Sequence, residues 1–289
     1  MKYIKTMIKK IYWYFCKIDK FKILNTSESL QILNETKKSF VRFGDGEMSL
    51  ISYKRNIGYQ EYSPALADAL VKVLTSKTDN CLIGIPETLV QMKNMTKQSY
   101  TFWLHHLFHH GRDWRRFLNK NQIYLSSQVT RPYIDYKDKR QCAEHFKLIK
   151  KLWEQSDIII IEGIQTRLGV GNDLFSSAKS VRRILAPQKN AFCKFDEIMS
   201  KVKSIATTDT IIAIALGPAA KILVYELSLI GYRALDVGHI DIEYEWFLND
   251  VSEKIIIPGK YTNEVSGGSD VVDIVNEDYN KEIIAVIEN

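Results

Sequence analysis

The chain has 289 residues, of which 45% are hydrophobic and 26% charged. That length and apolar content allow a large buried core and exclude global disorder. The formal net charge of +6 is modest, and seven lysines against one aspartate in the first 22 residues account for much of it, so no nucleic-acid groove is implied.

Four cysteines (Cys16, Cys81, Cys142, Cys193) are scattered without a C-x-x-C pair, which fits a reducing cytoplasm. Cys81 and Cys193 lie within apolar runs and are expected as buried thiols.

In residues 1–22, Ile4, Met7, Ile8, Ile11, Phe15 and Ile18 recur at helical spacing, with lysines mostly opposite. The longest uncharged apolar run, residues 11–16, is too short for a signal-peptide core or a membrane span. A basic amphipathic helix of this kind suits peripheral contact with anionic lipid on the inner face of the membrane, or docking on its own domain or a partner subunit. The expected organisation is this helix (residues 1–24) followed by one catalytic domain (residues 25–289). A homo-oligomer is left open.

A short helix then leads into Ser39-Phe-Val-Arg-Phe-Gly-Asp-Gly-Glu47, which reads as a buried strand entering a polar turn at Gly44 and Gly46. In an extended backbone Asp45 and Glu47 would point to one side. Two hard oxygen donors there suit a divalent cation that also holds phosphate. Residues 62–74 read as a helix with Pro64 in its first turn, 81–86 as a buried parallel strand, 101–118 as an aromatic helix, 122–127 as a strand and 137–155 as an amphipathic helix. The run Asp157-Ile-Ile-Ile-Ile-Glu-Gly163 is the clearest buried strand. Residues 190–195, 210–216 and 234–237 read as further strands, with a helix over 219–230. Strands alternating with helices imply an α/β fold: a Rossmann-like, mostly parallel sheet with helices on both faces.

In such sheets ligands sit beyond the carboxyl ends of strands. After the 157–163 strand, Gly169 and Gly171 permit close backbone approach. Asn172 or Asp173 is expected to cap a following helix whose amides favour an anion, with Arg182 and Arg183 downstream on it. Gly217 and Pro218 read as a strand end opening a helix toward a diphosphate. His239, Asp241, Glu243 and Glu245 crowd a short span. All three acids would share a face if extended, whereas a helix keeps only Asp241 and Glu245 adjacent. Clustered titratable groups are where general bases are found. Residues 260–264 form a polar turn suited to closing over a site. His105, His106, His109 and His110 have metal-ligand spacing on a helix, but no H-E-x-x-H glutamate accompanies them and their aromatic neighbours suggest packing.

Taken together, RFGDGE (42–47), GVGNDLF (169–175), GPAAK (217–221) and DVGHIDIEYEW (236–246) resemble the GT-D-fold bacterial glycosyltransferases, in the family's order and over roughly residues 25 to 265. The resemblance implies transfer of a hexose from a UDP-sugar to a glycan or glycoprotein acceptor, as in members that extend glycans on serine-rich adhesins. It implies Mn²⁺ (or Mg²⁺) at Asp45 and Glu47. It also implies nucleotide contacts around Arg42, Gly44, Gly46, Gly169, Gly171, Asn172, Asp173, Gly217 and Pro218. The proton acceptor is left among His239, Asp241, Glu243 and Glu245. Two rival readings use the same carboxylates: a metal-dependent phosphohydrolase or nucleotidyltransferase, and a non-catalytic nucleotide-sugar-binding subunit.

Overall fold

The computed structural model describes residues 7–8, 21–272 and 275–288. Of the amphipathic helix expected over residues 1–22, Met7 and Ile8 are helical, Lys22 opens a strand instead, and residues 1–6 and 9–20 lie outside the described residues. Among those described, no helix is long and apolar enough to cross a membrane.

Nine strands form one sheet: β1 (Lys22–Ile23), β2 (Ser39–Arg42), β3 (Cys81–Ile85), β4 (Ile123–Ser126), β5 (Asp157–Gly163), β6 (Ser180–Ala186), β7 (Ile211–Ala215), β8 (Arg233–Asp236) and β9 (Ile283–Val286). Their order is β1-β4-β3-β2-β8-β7-β5-β6-β9, and every described pairing is parallel. The helices are α1 (Thr26–Thr36), α2 (Asp45–Tyr53), α3 (Pro64–Leu74), α4 (Lys97–Phe117), α5 (Cys142–Lys151), α6 (Phe195–Ile205), α7 (Pro218–Leu229), α8 (Ile240–Leu248) and α9 (Glu277–Glu282).

Strand β5 shows why the sheet is covered on both faces. Its side chains alternate: Ile159 and Ile161 join a core with α2, α3, α4, α6 and α7, while Ile158 and Ile160 join a second core with α1, α5 and α8. All four isoleucines are fully buried. The α/β expectation thus holds, with a parallel sheet between two helical layers.

Three local expectations fail. Residues 190–195 are not a strand but a tight turn of helix (Ala191–Lys194) running into α6; a short apolar run does not by itself separate the two. Cys193 on that turn is exposed, whereas Cys81 and Cys142 are buried. No helix follows the 157–163 strand. Residues 164–179 are turns, and the next element is β6, which carries Arg182 and Arg183.

Candidate active site

The strand order reverses between β2 and β8. From there one half of the sheet grows toward β1 and the other toward β9. Ligand crevices form at the carboxyl ends of strands at such a switch point. Arg42 ends β2 and Asp236 ends β8, and they clasp each other across it. The Arg42 guanidinium donates to Asp236 Oδ1 at 2.9 Å and to its carbonyl oxygen at 2.9 Å, and the Arg42 amide donates to Oδ2 at 3.2 Å. A Cβ at Gly238, where φ is +44°, would lie 1.8 Å from Arg42 Nη2, so glycine there lets the arginine lie flat against the turn.

Directly after β2 the chain does not stay extended. Gly44 is the N-cap of α2, and Asp45 and Glu47 occupy its first turn. At 100° per residue their side chains leave a helix rather than one face of a strand, which corrects the expected extended geometry, but both border the larger cavity and Asp45 feels the Glu47 charge. Glu47 folds back: one oxygen accepts from the Gly44 amide at 2.8 Å, and the other faces Lys221 Nζ at 3.1 Å. Asp45 points into the cleft. Solvent reaches it, yet the surrounding protein and then the Glu47 charge push its carboxyl above the ordinary value.

Lys221, on the first turn of α7, is the hub. Its ammonium is buried between Glu47 and Asp236, 3.1 Å from each, and donates to the Gly217 carbonyl at 3.1 Å. Burial alone would raise the Asp236 pKa, but Arg42 and Lys221 hold it below the usual carboxylate range. Gly217 has φ +52° and Pro218 opens the helix, as expected. A Cβ on Gly217 would lie 2.5 Å from the Tyr59 ring, which packs over this turn.

Two cavities meet here. The smaller, of 120 Å³, reaches toward Gln188 and Thr166, and the larger, of 720 Å³, opens past Asp45 toward α4. Arg42, Tyr59, Lys221, His239 and Asn263 line both. Arg131 and Glu264 wall the larger one. Arg131 is paired with Asp135 and, through both terminal nitrogens, with Glu264, which Lys254 also contacts. Those cations outweigh burial and hold the Glu264 carboxyl far below its ordinary range. His239 Nε2 lies 3.8 Å from Glu264. Crowding, with Arg131 and Arg42 nearby, lowers its pKa to about 4, so it is neutral at neutral pH. Asn263 Oδ1 is buried without a well-formed hydrogen bond among the described residues. Its side chain lies against the His239 imidazole, whose protonated form it favours.

The remaining acidic residues are each held by protein partners. Asp241 and Glu245 are neighbours on α8, as helical spacing requires, and both bind Lys260 Nζ (2.7 and 2.8 Å) and the Asn172 amide (2.7 Å each). Burial outweighs these partners and keeps the Asp241 pKa raised. Glu243 accepts from the backbone amides of Tyr133 and Ile134 at 3.0 and 3.1 Å; burial, only partly offset by Arg131, pushes its pKa to about 7. Of the four proton-acceptor candidates only His239 and Asp241 line either cavity.

Gly169, Gly171, Asn172 and Asp173 line neither. Gly169 and Gly171 take φ of +73° and +82° in a turn that delivers Asn172 to α8, while Asp173 binds Lys150 and the Tyr244 hydroxyl. The expected anion-binding helix end is therefore a brace. Among the described residues no group of three or more His, Cys, Asp or Glu could hold a metal, the α4 histidines included. His106 there accepts from Trp114 Nε1 at 2.9 Å and stacks on His110.

Tyr59 and Arg131 come from loops with no motif of their own, whereas Asn263 and Glu264 belong to the 260–264 turn expected to close over a site, and both line the larger cavity. A lysine four residues past Gly217 was visible as part of GPAAK, but its partners are set by tertiary contact.

Residues 40–265 match the Glycosyltransferase GT-D fold family. The chain is 40% identical over 264 residues to the probable glycosyl transferase Gly of Streptococcus gordonii, covering 91% of this chain and 38% of that protein. To the glycosyltransferase GlyD of Streptococcus pneumoniae it is 36% identical over 273 residues, covering 94% and 33%. It thus spans between about a third and two fifths of these relatives' length. A solved structure described as a new glycosyltransferase (DUF1792) from Streptococcus sanguinis superposes with a TM-score of 0.89 at 37% identity, covering 93% of this chain and 100% of that one. Another, described as showing that the domain of unknown function 1792 has a distinct glycosyltransferase fold, gives 0.90 at 35% identity, covering 94% and 98%. The chain belongs to the Glycosyltransferase GT-D fold family.

Proposed function

We propose that this chain transfers a hexose from a UDP-sugar to a glycan acceptor, assisted by Mn²⁺ or Mg²⁺ held at Asp45 and Glu47. The observation that carries the reading is Asp45, a carboxylate open to the larger cavity at the switch point of the sheet, in a chain of this family.

Charge balance supports the metal. Around the cleft, Arg42, Lys97, Arg131, Lys221 and Lys254 stand against Glu47, Asp135, Asp236, Glu253 and Glu264, which leaves Asp45 in excess. A diphosphate entering here meets negative rather than positive charge unless a cation comes with it. Asp45 offers its carboxylate, and Glu47 Oε1 keeps lone-pair capacity beyond Lys221. One or two carboxylates completed by substrate phosphates and water is the donor set that Mg²⁺-like ions accept. Such an ion would neutralise the negative charge that develops as the sugar–phosphate bond breaks. The chain's own contributions are positional. Lys221 fixes Glu47 and Asp236, and Arg42 keeps the two halves of the sheet in register at the cleft. We read neutral His239 as the group that accepts the hydrogen of the attacking hydroxyl, with Asn263 beside its ring.

The test is a nucleotide-release screen of the purified chain against UDP- and GDP-sugars, with Mn²⁺ and again with EDTA. UDP release that requires both the metal and an acceptor is expected. Release that is equally fast with and without acceptor would instead make the protein a hydrolase.

A further inference from the structure

Beside the catalytic cleft lies a third cavity, of 880 Å³. It is built by segments that leave the carboxyl ends of β1, β3 and β4, so it opens on the same side of the sheet. Its wall is shared with the cleft: Gln128, which lines the cleft, accepts the amide of Glu87, which lines this cavity, at 2.8 Å. Asp135 faces one space and Tyr136 the other.

The lining is unusual in what it leaves unpaired. Thr26 and His145 are 5% and 8% exposed, yet His145 Nδ1 has no well-formed hydrogen bond among the described residues, and the Thr26 and Tyr136 hydroxyls, which interact with each other, make no well-formed bond either. The other imidazole nitrogen of His145 is fixed by Ser27 Oγ at 2.8 Å, so the ring is oriented and one nitrogen is kept spare. Buried polar atoms are ordinarily satisfied, by protein, water or ligand. Gln31 and Gln141 add exposed amides, and Met92, Met95 and Pro132 add apolar surface. Arg140 is held by Asp138, and the lining's other cation, Lys93, is outnumbered by Glu28 and Glu87, so no concentration of positive charge invites phosphate. Hydroxyl and amide partners beside an apolar wall match a pyranose, which carries hydroxyls at its rim and C–H groups on its faces.

We propose that this cavity binds the part of the acceptor glycan lying beyond the sugar that receives the new bond, a neutral, hydroxyl-rich saccharide. The inference rests on the transferase reading above, because the cavity adjoins the cleft where transfer would occur.

The experiment uses the whole chain with UDP and Mn²⁺ added to fill the cleft. Maltotriose, cellotriose and triacetylchitotriose are each titrated in, followed by NMR. At least one should shift the resonances of Thr26 and His145. Its binding should weaken about fivefold or more in Thr26→Val and in Tyr136→Phe, the loss of one net hydrogen bond, with UDP affinity unchanged. Absence of shifts with all three saccharides, wild-type affinity in both variants, or a soaked crystal showing only ordered waters on these atoms would each overturn the site. UDP binding separates the two readings. If UDP binds and no saccharide does, the second site fails alone; if UDP does not bind, the transferase reading fails, and the titration still reports on this cavity.

Discussion

Two buried lysines in this molecule sit in almost the same ionic setting. Lys221 lies between Glu47 and Asp236, and Lys260 between Asp241 and Glu245. Each ammonium joins an acid near the N-terminal end of a helix to another acid nearby. Their surroundings differ. The Lys221 group borders both cavities and has Asp45 beside it, open to the cleft. The Lys260 group is closed over by the Asn172 amide, which the glycine turn at 169–171 carries into place. Acidic residues gathered around a lysine therefore mark a site in one place and a brace in the other. What separates them is whether a carboxylate facing a cavity is left unpaired: Asp45 has no ion pair among the described residues, whereas Asp241, which borders the smaller cavity, is held by Lys260 and Asn172.

The comparison can be broken by removing each lysine. Lys260→Met leaves Asp241 and Glu245 buried with only Asn172, and should cost about 3–5 kcal/mol in urea unfolding. UDP release per folded molecule should stay near wild type. Lys221→Met should cost less stability, because Arg42 remains on Asp236, but should lower UDP release per folded molecule about tenfold or more. Equal effects of the two variants on both readouts would erase the distinction.

A smaller effect sharpens it. The folded-state pKa of His239, about 4, lies below the ordinary histidine value, so the unfolded chain binds the extra proton first. The stability contributed by neutral His239 is present above about pH 6.5 and is lost as the pH falls toward 4. Acidification across that window should cost on the order of 1–3 kcal/mol in the wild type. The loss should be smaller in His239→Asn, as read from urea midpoints at each pH. An unchanged pH slope in the variant would mean the imidazole is not held neutral by the cleft.

The strands that position the cleft were legible because buried parallel strands are long apolar runs, as in residues 157–163, and because Gly217-Pro218 opens a helix by local chemistry. Strands β1 and β9, of two and four residues, are too short to show a period. The turn at Gly169 to Asp173 carries the same residues as a capped helix start, and only the tertiary demand for Asn172 under α8 decides between them. Asp45 and Glu47 were identifiable as a pair of acids after a strand. Their place on a helix was not, because it follows from α2 beginning at once. Arg131 and Tyr59 reach the cleft by long-range folding, which no local spacing reports, while Glu264 was legible only as part of a polar turn, without its partners.

The most direct test of the central claim is calorimetry of UDP binding with Mn²⁺, with EDTA and in Asp45→Asn. Asp45 is exposed on the first turn of α2, so the variant should fold with a stability within about 0.5 kcal/mol of wild type. The account predicts Mn²⁺-dependent UDP binding that disappears with EDTA and in the variant. UDP binding of wild-type strength in EDTA, or in Asp45→Asn with Mn²⁺, would contradict it.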